Sequence, residues 1–382
     1  MAIILSIIDK FHIKDRGLVY RVKDLTHPNV LRLGDTLQDL QGNYFKVTGM
    51  EMIRRQPGTE ASANELGILL ESLDNTEVQG SFLVDTEASV NFLFCNHPLY
   101  ARQVDEDYKE EYEACHEYFN CGLFSYEDME LGRLSLYGNP VEGLTIYRGW
   151  MMKPEMYALF YEKLKERNII LVNSPEEYSR YHLLPGWYED FKEDTAKSAW
   201  TKGTDVKDAL HLLGDFQGSV MVKDYVKSRK HEWYDACFIP QAADTPLAQT
   251  IIQNFITRQG ESLIGGIVLR EFLQLKSAGF HEISGMPISE EYRAFVFCGR
   301  LLIVDDYWLE GHEAVFGAGD LQWIEQQLAK ITSPFVTMDF ARTTDGKLVI
   351  MELGDGQVSG LQQIPAQKFY EKWSRFTKNA SK

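Results

Sequence analysis

The fold of the C-terminal half is decided by two runs, Phe335-Val-Thr-Met-Asp-Phe340 and Leu348-Val-Ile-Met-Glu-Leu-Gly-Asp355. Both runs predict strands, and the Thr344-Asp-Gly346 sequence between them predicts the turn of a β-hairpin. Asp339 ends the first predicted strand and Glu352 ends the second. Because Mg²⁺ takes oxygen ligands and is usually completed by substrate phosphates, this pair suits a metal. Two solvated residues at the base of a hairpin are the equal alternative.

A lysine further upstream suits phosphate binding. The run Ser219-Val-Met-Val222 is typical of a buried strand, and Lys223 follows it directly. The polar loop 227–230 comes next and supplies further donors, while a lysine ammonium acts as a point charge toward phosphate. A surface cluster of lysines is the alternative interpretation.

Two more predicted strands carry residues that suit a nucleotide. Ile267-Val-Leu269 continues into Arg270-Glu-Phe272, where backbone groups would bind a purine edge and apolar side chains its faces. Glu291-Tyr-Arg293 enters another strand, and an arginine there suits bidentate binding of a phosphoryl group. The sequence contains neither a Walker-type phosphate loop nor a protein-kinase signature.

The order of these features resembles the ATP-grasp superfamily over about residues 195–370. The resemblance implies that ATP lies between two α+β subdomains and that ATP and Mg²⁺ are the cofactors. It also implies an enzyme that phosphorylates a carboxylate to an acyl phosphate, which an amine then attacks, with release of ADP. The substrates would be a small-molecule or peptide carboxylate and an amine.

The resemblance assigns roles to individual residues. Lys223 would bind phosphates of ATP and Arg293 would stabilise the transferring phosphoryl group, so these two are the catalytic candidates. The residues expected to bind the nucleotide are Lys202, Lys223, Arg270, Glu271, Phe272 and Glu291. The expected metal ligands are Asp339, Glu352 and Asp355.

The sequence departs from the ATP-grasp pattern in two places. The family usually carries Asn two residues after the metal-binding Glu, but Gly354 occupies this position. Either Asp355 or Gln357 replaces that ligand, or the metal site is altered. The earlier of the family's two lysines has no clear match, and Lys197 and Lys202 are the candidates.

Residues 1–88 are predicted to form an all-β barrel, because short alternating runs separated by turn signals are typical of small barrels. The clearest runs are 17–22, 44–48 and 66–70, and 54–58 is a predicted turn.

The same region resembles domain II of translation elongation factor Tu over about residues 9–84. The resemblance rests on the stretches 11–22, 33–37, 47–54 and 66–70. In translational GTPases this barrel contacts aminoacyl-tRNA or the ribosome, which makes a tRNA or a protein a candidate partner. A structural barrel reused as a docking module is the favoured interpretation, because a shared fold alone does not transfer function.

Residues 89–194 are predicted to form an α/β domain of the pre-ATP-grasp type. Strands at 144–147 and 169–172 flank a helix that opens at Pro154, and this order predicts a βαβ unit with a parallel sheet. Arg148 follows the first of these strands, at the edge where ligands collect in such sheets. It is therefore a candidate to bind a substrate carboxylate, with a surface ion pair as the equal alternative.

Two aromatic stretches, 147–151 and 183–188, resemble a divergent ATP-grasp subfamily from bacteria and phages. The second stretch, Leu-Leu-Pro-Gly-Trp-Tyr, predicts a turn into the next region, and its Trp187 is one of two loop tryptophans that suit a substrate groove. Residues 195–382 follow as an α+β ATP-grasp domain. The predicted fold class is therefore multidomain, with a barrel, a pre-ATP-grasp domain and an ATP-grasp domain in that order.

The composition narrows the class of partners. Lys and Arg number 39 against 56 Asp and Glu, a net charge of −17, which argues against a broad nucleic-acid-coating surface. No window approaches the roughly 18–20 apolar residues of a membrane span. The five cysteines contain no Cys-x-x-Cys pair. We expect a cytoplasmic protein with no membrane partner, and the sequence leaves its oligomeric state open.

Two functions remain open on the sequence. The leading hypothesis is an ATP-dependent carboxylate–amine ligase whose barrel recruits the substrate or a partner. The alternative is a non-catalytic, nucleotide-responsive adaptor that binds the translation machinery or another protein. The presence of Lys223, Arg293, Asp339 and Glu352 favours the enzyme.

Overall fold

The computed structural model describes residues 3–14, 16–25, 31–51, 64–73, 75–80, 82–85, 90–139, 141–280, 287–308 and 314–379. The turn predicted at 54–58 lies outside these ranges, as does part of the stretch 47–54. Among the described residues, no helix has the length and apolar character needed to cross a membrane.

The N-terminal region forms a closed barrel of six antiparallel strands, which confirms the predicted barrel. The strands are β1 (Ile4–Ile13), β2 (Gly17–Asp24), β3 (Thr36–Asp39), β4 (Tyr44–Glu51), β5 (Glu65–Ser72) and β6 (Phe82–Asp85). Around the barrel they follow the order β1, β2, β5, β4, β3, β6. Because successive side chains of a strand point to opposite faces, alternate apolar residues fill the interior, among them Leu5, Val22 and Phe45.

A mixed sheet with flanking helices follows the barrel. Its strands are β7 (Asn91–His97), β8 (Tyr100–Val104), β9 (Cys121–Phe124), β10 (Leu136–Gly138), β11 (Gly143–Arg148) and β12 (Ile169–Leu171). Its helices are α1 (Lys109–His116), α2 (Tyr126–Glu130), α3 (Pro154–Lys165), α4 (Pro175–His182) and α5 (Leu184–Phe191). Strands β9, β7, β11 and β12 are parallel neighbours in that order. The βαβ unit predicted from the sequence is confirmed as β11, α3 and β12.

The stretch 183–188 is not the predicted turn, because α5 begins at Leu184. Pro185 lies in the first helical turn, where its missing N–H costs no helical hydrogen bond. Leu184, Trp187 and Phe191 recur at helical spacing and are all buried. This apolar stripe, rather than the Pro-Gly pair, decides the local structure. Trp187 is therefore a core residue and does not line a groove.

Two four-stranded antiparallel sheets make up the C-terminal region. The first follows the order β13, β16, β14, β15 and packs against helices; its elements are β13 (Ser198–Trp200), α6 (Val206–Leu212), β14 (Val220–Lys223), α7 (Trp233–Ala236), β15 (Phe238–Ile239), α8 (Thr245–Gln259) and β16 (Val268–Glu271). A separate two-stranded ribbon consists of β17 (Ser277–Phe280) and β18 (Pro287–Ser289).

The second sheet follows the order β20, β19, β21, β22. Its elements are β19 (Glu291–Phe297), β20 (Arg300–Asp306), α9 (Ala318–Leu328), β21 (Phe335–Arg342), β22 (Leu348–Asp355) and the final helix α10 (Ala366–Asn379). The predicted hairpin at 344–346 joins β21 to β22 and is confirmed.

Each of these two sheets has one apolar face and one polar face. In the second sheet, Tyr292, Met338 and Leu353 pack into the core beneath α9, while the alternate residues face the first sheet. In the first sheet, Val220 and Val222 pack against α6 and α8. Period-two alternation therefore leaves two polar faces opposed across a cleft.

The three regions are joined by buried contacts. Gln41 of the barrel donates from Nε2 to the carbonyl of Cys298 at 2.7 Å, in the turn between β19 and β20. Arg148, at the end of β11, is 1% exposed and bonds both oxygens of Glu111 at 2.9 and 3.0 Å. Its Nη1 also donates to the carbonyl of Gly356. The predicted roles of Arg148 are therefore wrong, because its ion pair is buried and joins the α/β sheet to the C-terminal region.

Candidate active site

A row of charged residues crosses the polar face of the second sheet. Arg293 pairs with Asp339 across β19 and β21, and Asp339 pairs with Glu352 across β21 and β22. Directly opposite residues of an antiparallel pair share a face, so the three side chains point into the cleft together. Asp339 and Glu352 lie within their strands, not at the strand ends as predicted.

A β-bulge sets this row. The register of β21 and β22 shifts between Asp339 and Phe340, whose partners are Glu352 and Ile350. Met351 is the extra residue. Without it, Asp339 would face residue 351 and the Glu352 side chain would point to the core face.

The first ion pair of the row is Arg293 with Asp339. Nε and Nη2 of Arg293 donate to the two carboxylate oxygens at 2.8 and 2.6 Å, and both side chains are buried. Burial acts to lower the pKa of the Arg293 guanidinium, but Asp339 outweighs it and holds this pKa above its ordinary value. Nη1 donates to the carbonyl of Gly360, so the guanidinium is fixed in orientation.

The second ion pair crosses the cleft from one sheet to the other. Lys223, the last residue of β14, donates from Nζ to Oε1 of Glu352 at 2.8 Å. Burial acts to raise the pKa of the Glu352 carboxyl, but the neighbouring Lys223 lowers it below its ordinary value. The Glu352 side chain is 42% exposed against 10% for Lys223, so its carboxylate remains open to the cleft.

A polar cavity of about 330 Å³ lies over this row. Arg293, Asp339 and Glu352 line it, so the structure brings three predicted site residues together there. Its other polar lining residues include His182, Lys227, Ser228, Lys230, His231, Tyr307, Thr337 and Ser359.

A second, more apolar cavity of about 300 Å³ adjoins the first. Four predicted nucleotide-binding residues line it, namely Arg270, Glu271, Phe272 and Glu291. Phe272 packs edge-on against Trp233 and Phe238. The remaining apolar lining is provided by Met221, Trp233, Leu273, Leu275, Ile288, Trp308 and Met351.

Lys230 lines both cavities and so marks their junction. Desolvation acts to lower the pKa of its ammonium, but Glu291, Tyr307 and Glu352 outweigh this effect and raise it above its ordinary value. Sequence analysis noted its loop as suited to phosphate but did not single out this lysine.

Arg270 is held by protein oxygens, although it lines the apolar cavity. Its guanidinium donates to the hydroxyls of Ser198 and Thr195 and to the carbonyls of Ile350 and Met351. These two carbonyls belong to the bulged segment of β22, so Arg270 ties the first sheet to the bulge of the second. Burial lowers the pKa of Arg270 to about 10.

Two predicted site residues lie outside the cleft. Lys202 is exposed in the loop after β13 and lines neither cavity. Asp355 is fully buried, and its carboxylate accepts hydrogen bonds from Asn173 Nδ2 at 2.5 Å and from the backbone N–H of Gln357 at 2.9 Å. Lys197, the other candidate for the missing lysine, donates to the carbonyl of Asp215.

His182 is a cavity residue that the sequence did not indicate. It is the last residue of α4, whose start is fixed by a capping box between Ser174 and Glu177. The imidazole is 4% exposed, and burial lowers its pKa to about 4. A single histidine at a helix end carries no spacing signal, so no motif could have found it.

The carboxylates of the site fit Mg²⁺ only in part. Among the described residues, no cluster of three or more His, Cys, Asp or Glu side chains suits a metal. Mg²⁺ is commonly held by one or two carboxylates plus substrate phosphates, so the pair Asp339 and Glu352 is a sufficient donor set. Gly354 leaves no space for a further ligand, because a Cβ there would lie 2.8 Å from Thr337 Oγ1.

Comparison with known families bears directly on this region. Residues 212–372 match the sequence model of an ATP-grasp domain, the third family of its clade. The chain contains an ATP-grasp domain. The match covers less than half of the 382 residues and includes both ion pairs of the site. No curated protein matches the sequence.

Solved structures with similar folds were also found. A RimK domain ATP-grasp protein from Sphaerobacter thermophilus DSM 20745 is 12% identical, with 74% of this chain and 99% of that chain covered and a TM-score of 0.48. D-alanyl-alanine synthetase A from Vibrio cholerae O1 biovar eltor str. N16961 is 12% identical, with 77% and 98% covered and a TM-score of 0.48. The ATP-grasp ligase PsnB, complexed with minimal precursor, Mg and ADP, is 12% identical, with 76% and 98% covered and a TM-score of 0.46.

Proposed function

We propose that this chain is an ATP-dependent carboxylate–amine ligase that acts through an acyl phosphate. The observation that carries the proposal is the row Arg293, Asp339 and Glu352, which faces a cleft with an apolar cavity beside a polar one. One cavity suits a nucleobase and the other suits phosphates, within the ATP-grasp domain.

The apolar cavity would receive the adenine. Phe272, Trp233 and Met351 offer faces against which a purine packs, and backbone groups after β16 would bind its edge. Glu271 is exposed at this cavity and would bind the ribose hydroxyls. Arg270 would shape the wall rather than bind the nucleotide, because its donors already serve protein oxygens.

The polyphosphate would extend past Lys230 into the polar cavity. Lys223 and Lys230 would bind phosphate oxygens as point charges, and Arg293 would stabilise the transferring phosphoryl group. Asp339 and Glu352 would hold Mg²⁺, which would supply charge neutralisation to the phosphates. We do not extend the metal set to Asp355, whose carboxylate is buried among donors from Asn173 and Gln357.

The chemistry then needs alignment more than covalent help from the protein. A substrate carboxylate oxygen attacks the γ-phosphorus, and ADP leaves. The amine nitrogen then attacks the carbonyl carbon of the acyl phosphate, inorganic phosphate leaves, and the amine gives up a proton. The Arg293 guanidinium, fixed by Asp339 and Gly360, would hold the transferring group in line throughout the first step.

The regions outside the matched domain have proposed roles as well. We divide the chain into a barrel at 1–88, a pre-ATP-grasp domain at 89–194 and the catalytic domain at 195–382. The barrel would serve as a docking module for a protein or tRNA partner, in line with its resemblance to domain II of elongation factor Tu. The parallel sheet would close one end of the cleft through residues after β11 and α4.

The test is calorimetric titration of ATP with Mg²⁺ into the wild type and the Lys223→Ala variant. We expect a dissociation constant on the order of micromolar for the wild type, and loss of binding in the variant, because a phosphate cation is removed. Binding then justifies a search for acids and amines that trigger ADP release. A well-folded wild type that does not bind ATP would favour the non-catalytic adaptor.

A further inference from the structure

The His182 imidazole is an unsatisfied polar group at the inner wall of the polar cavity. It is 4% exposed and lines the cavity, and its Nε2 finds no hydrogen-bond partner among the described residues. Buried polar atoms in native proteins are nearly always bonded, and one left without a partner carries a free-energy cost. A buried nitrogen that faces a cavity therefore indicates a ligand atom at that point.

The ring is held in place and does not need a ligand to order it. Tyr178 lies against His182 with centroids 4.8 Å apart, and Tyr157 stacks on the far side of Tyr178 at 3.9 Å. The Tyr178 hydroxyl bonds both the N–H and the carbonyl of Met152. A group fixed in this way presents its nitrogen in one direction, which is the property of a binding residue that selects a geometry.

The charges around His182 favour an anion. The carboxylates of Asp339 and Glu352 are already paired with Arg293 and Lys223. On the same cavity, Lys227 is exposed and makes no ion pair with a described residue. An incoming carboxylate would gain this charge, whereas an incoming ammonium would meet repulsion from it.

The subsite lies where the parallel sheet meets the ATP-grasp domain. Met151, after β11, and Val226, after β14, provide apolar lining beside His182. The loop that carries Lys227 is fixed by Asp224, whose carboxylate accepts the backbone N–H groups of Val226 and Lys227. His182 itself precedes the matched residues 212–372, so the family match does not include it.

We propose that His182 and Lys227 form the subsite that binds the carboxylate-bearing substrate, with His182 Nε2 hydrogen-bonded to a substrate oxygen and Lys227 facing its charge. The proposal rests on the proposed ligase function and adds the residues that select the acid. The polar cavity of about 330 Å³ leaves space for a small acid beside the phosphates.

The test follows the His182 side chain directly. The full chain is labelled with ¹⁵N-histidine, and the His182 signal is assigned by its loss in His182→Gln. Acetate, succinate and glutarate are titrated as carboxylate probes, with succinamide and methylammonium as uncharged and cationic counterparts. Each series is run with the non-hydrolysable MgAMPPNP and again without nucleotide. We expect the carboxylates to shift the His182 signal with dissociation constants of roughly millimolar order, and the counterparts to leave it unchanged.

Variants separate the subsite from general charge effects. His182→Phe should weaken carboxylate binding about tenfold or more, because a hydrogen bond to a charged group is lost. Lys227→Ala should weaken it as well, and the carboxylate shift of the His182 signal should then need higher concentrations. His231→Gln is the matched control, since His231 lines the same cavity but its side chain is 66% exposed.

Three outcomes would overturn the subsite. They are no carboxylate shift of the His182 signal, a shift produced by methylammonium instead, and unchanged carboxylate affinity in both Lys227→Ala and His182→Phe. Nucleotide binding, measured by calorimetry on the same samples, keeps the two proposals apart. Bound MgAMPPNP with no carboxylate shift overturns the subsite alone. A carboxylate shift without nucleotide binding overturns the ligase function but supports the anion subsite.

Discussion

The Nζ atom of Lys223 lies 2.8 Å from Oε1 of Glu352, and this ion pair joins the two sheets across the cleft. A cation expected to bind phosphate therefore neutralises a carboxylate expected to bind the metal. When nucleotide and metal occupy the cleft, each partner would exchange the other for a ligand of opposite charge. The pair keeps both groups ionised and aligned in their absence.

Glu352→Gln should abolish ATP turnover and leave the fold intact. The amide keeps the shape of the side chain but removes the negative charge that the metal requires. Because the Glu352 side chain is 42% exposed, loss of its ion pair should lower the free energy of unfolding by no more than about 1 kcal/mol. ADP release and urea denaturation measure the two effects. Turnover that stays at the wild-type rate would remove Glu352 from the metal site, and Glu271→Gln, at the other cavity, is the control.

Lys230→Met should weaken MgATP binding by roughly 10- to 100-fold, because the ammonium lies at the junction of the two cavities and would bind phosphate. Methionine keeps most of the side-chain length and removes the charge.

Lys202→Met is the matched control for Lys230→Met, since Lys202 is exposed and lines neither cavity. Calorimetric titration of both variants distinguishes the two lysines. A loss of affinity in Lys202→Met with none in Lys230→Met would restore the original assignment of the missing lysine.

Arg270→Met should destabilise the protein more than it weakens nucleotide binding. The variant keeps an apolar stem of similar length but leaves the carbonyls of Ile350 and Met351 without their donor. Unsatisfied buried acceptors predict a loss of about 2–3 kcal/mol in the free energy of unfolding. Urea denaturation measures this loss. Unchanged stability together with abolished ATP binding would mean that Arg270 contacts the nucleotide after all.

The sequence predicted most of the site because its signals are local. Alternating apolar residues indicated β19 and β21, and the Thr-Asp-Gly turn indicated the hairpin to β22. The resemblance to ATP-grasp proteins then placed Lys223, Arg293, Asp339 and Glu352 in one site, and three of them line one cavity while Lys223 reaches it through Glu352.

The remaining features depend on long-range contacts that no local pattern carries. The bulge at Met351 is set by packing and by the carbonyl contacts of Arg270, so its effect on register could not be predicted. The Pro-Gly pair near residue 186 indicated a turn, yet burial of Trp187 and its neighbours made a helix. Asp355 was assigned to the metal by its nearness in sequence to Glu352, but its strand position directs it toward Asn173.

Gly354→Ala should destabilise the protein by about 1–3 kcal/mol through overpacking. A Cβ at this position would lie 2.8 Å from Thr337 Oγ1 and 3.0 Å from Ser359 Oγ, two hydroxyls that bond each other at 2.7 Å. A double-mutant cycle with Thr337→Ala measures the coupling, and the second substitution should recover much of the lost stability. Equal losses with and without Thr337→Ala would show that the space at Gly354 is not limited by this contact.

Asp355 should make the stability depend on pH in an unusual direction. Burial raises the pKa of its carboxyl from 3.8 to about 7, against the hydrogen bonds of Asn173 and Gln357. The folded state therefore binds a proton more tightly than the unfolded state, and the contribution of Asp355 falls as the pH rises from about 4 to about 7. The stability advantage of wild type over Asp355→Asn should shrink by about 2–3 kcal/mol between about pH 5 and pH 8. Urea denaturation of both proteins across this range measures the difference. A constant advantage, or one that grows with pH, would mean that the three donors keep Asp355 ionised in the folded protein.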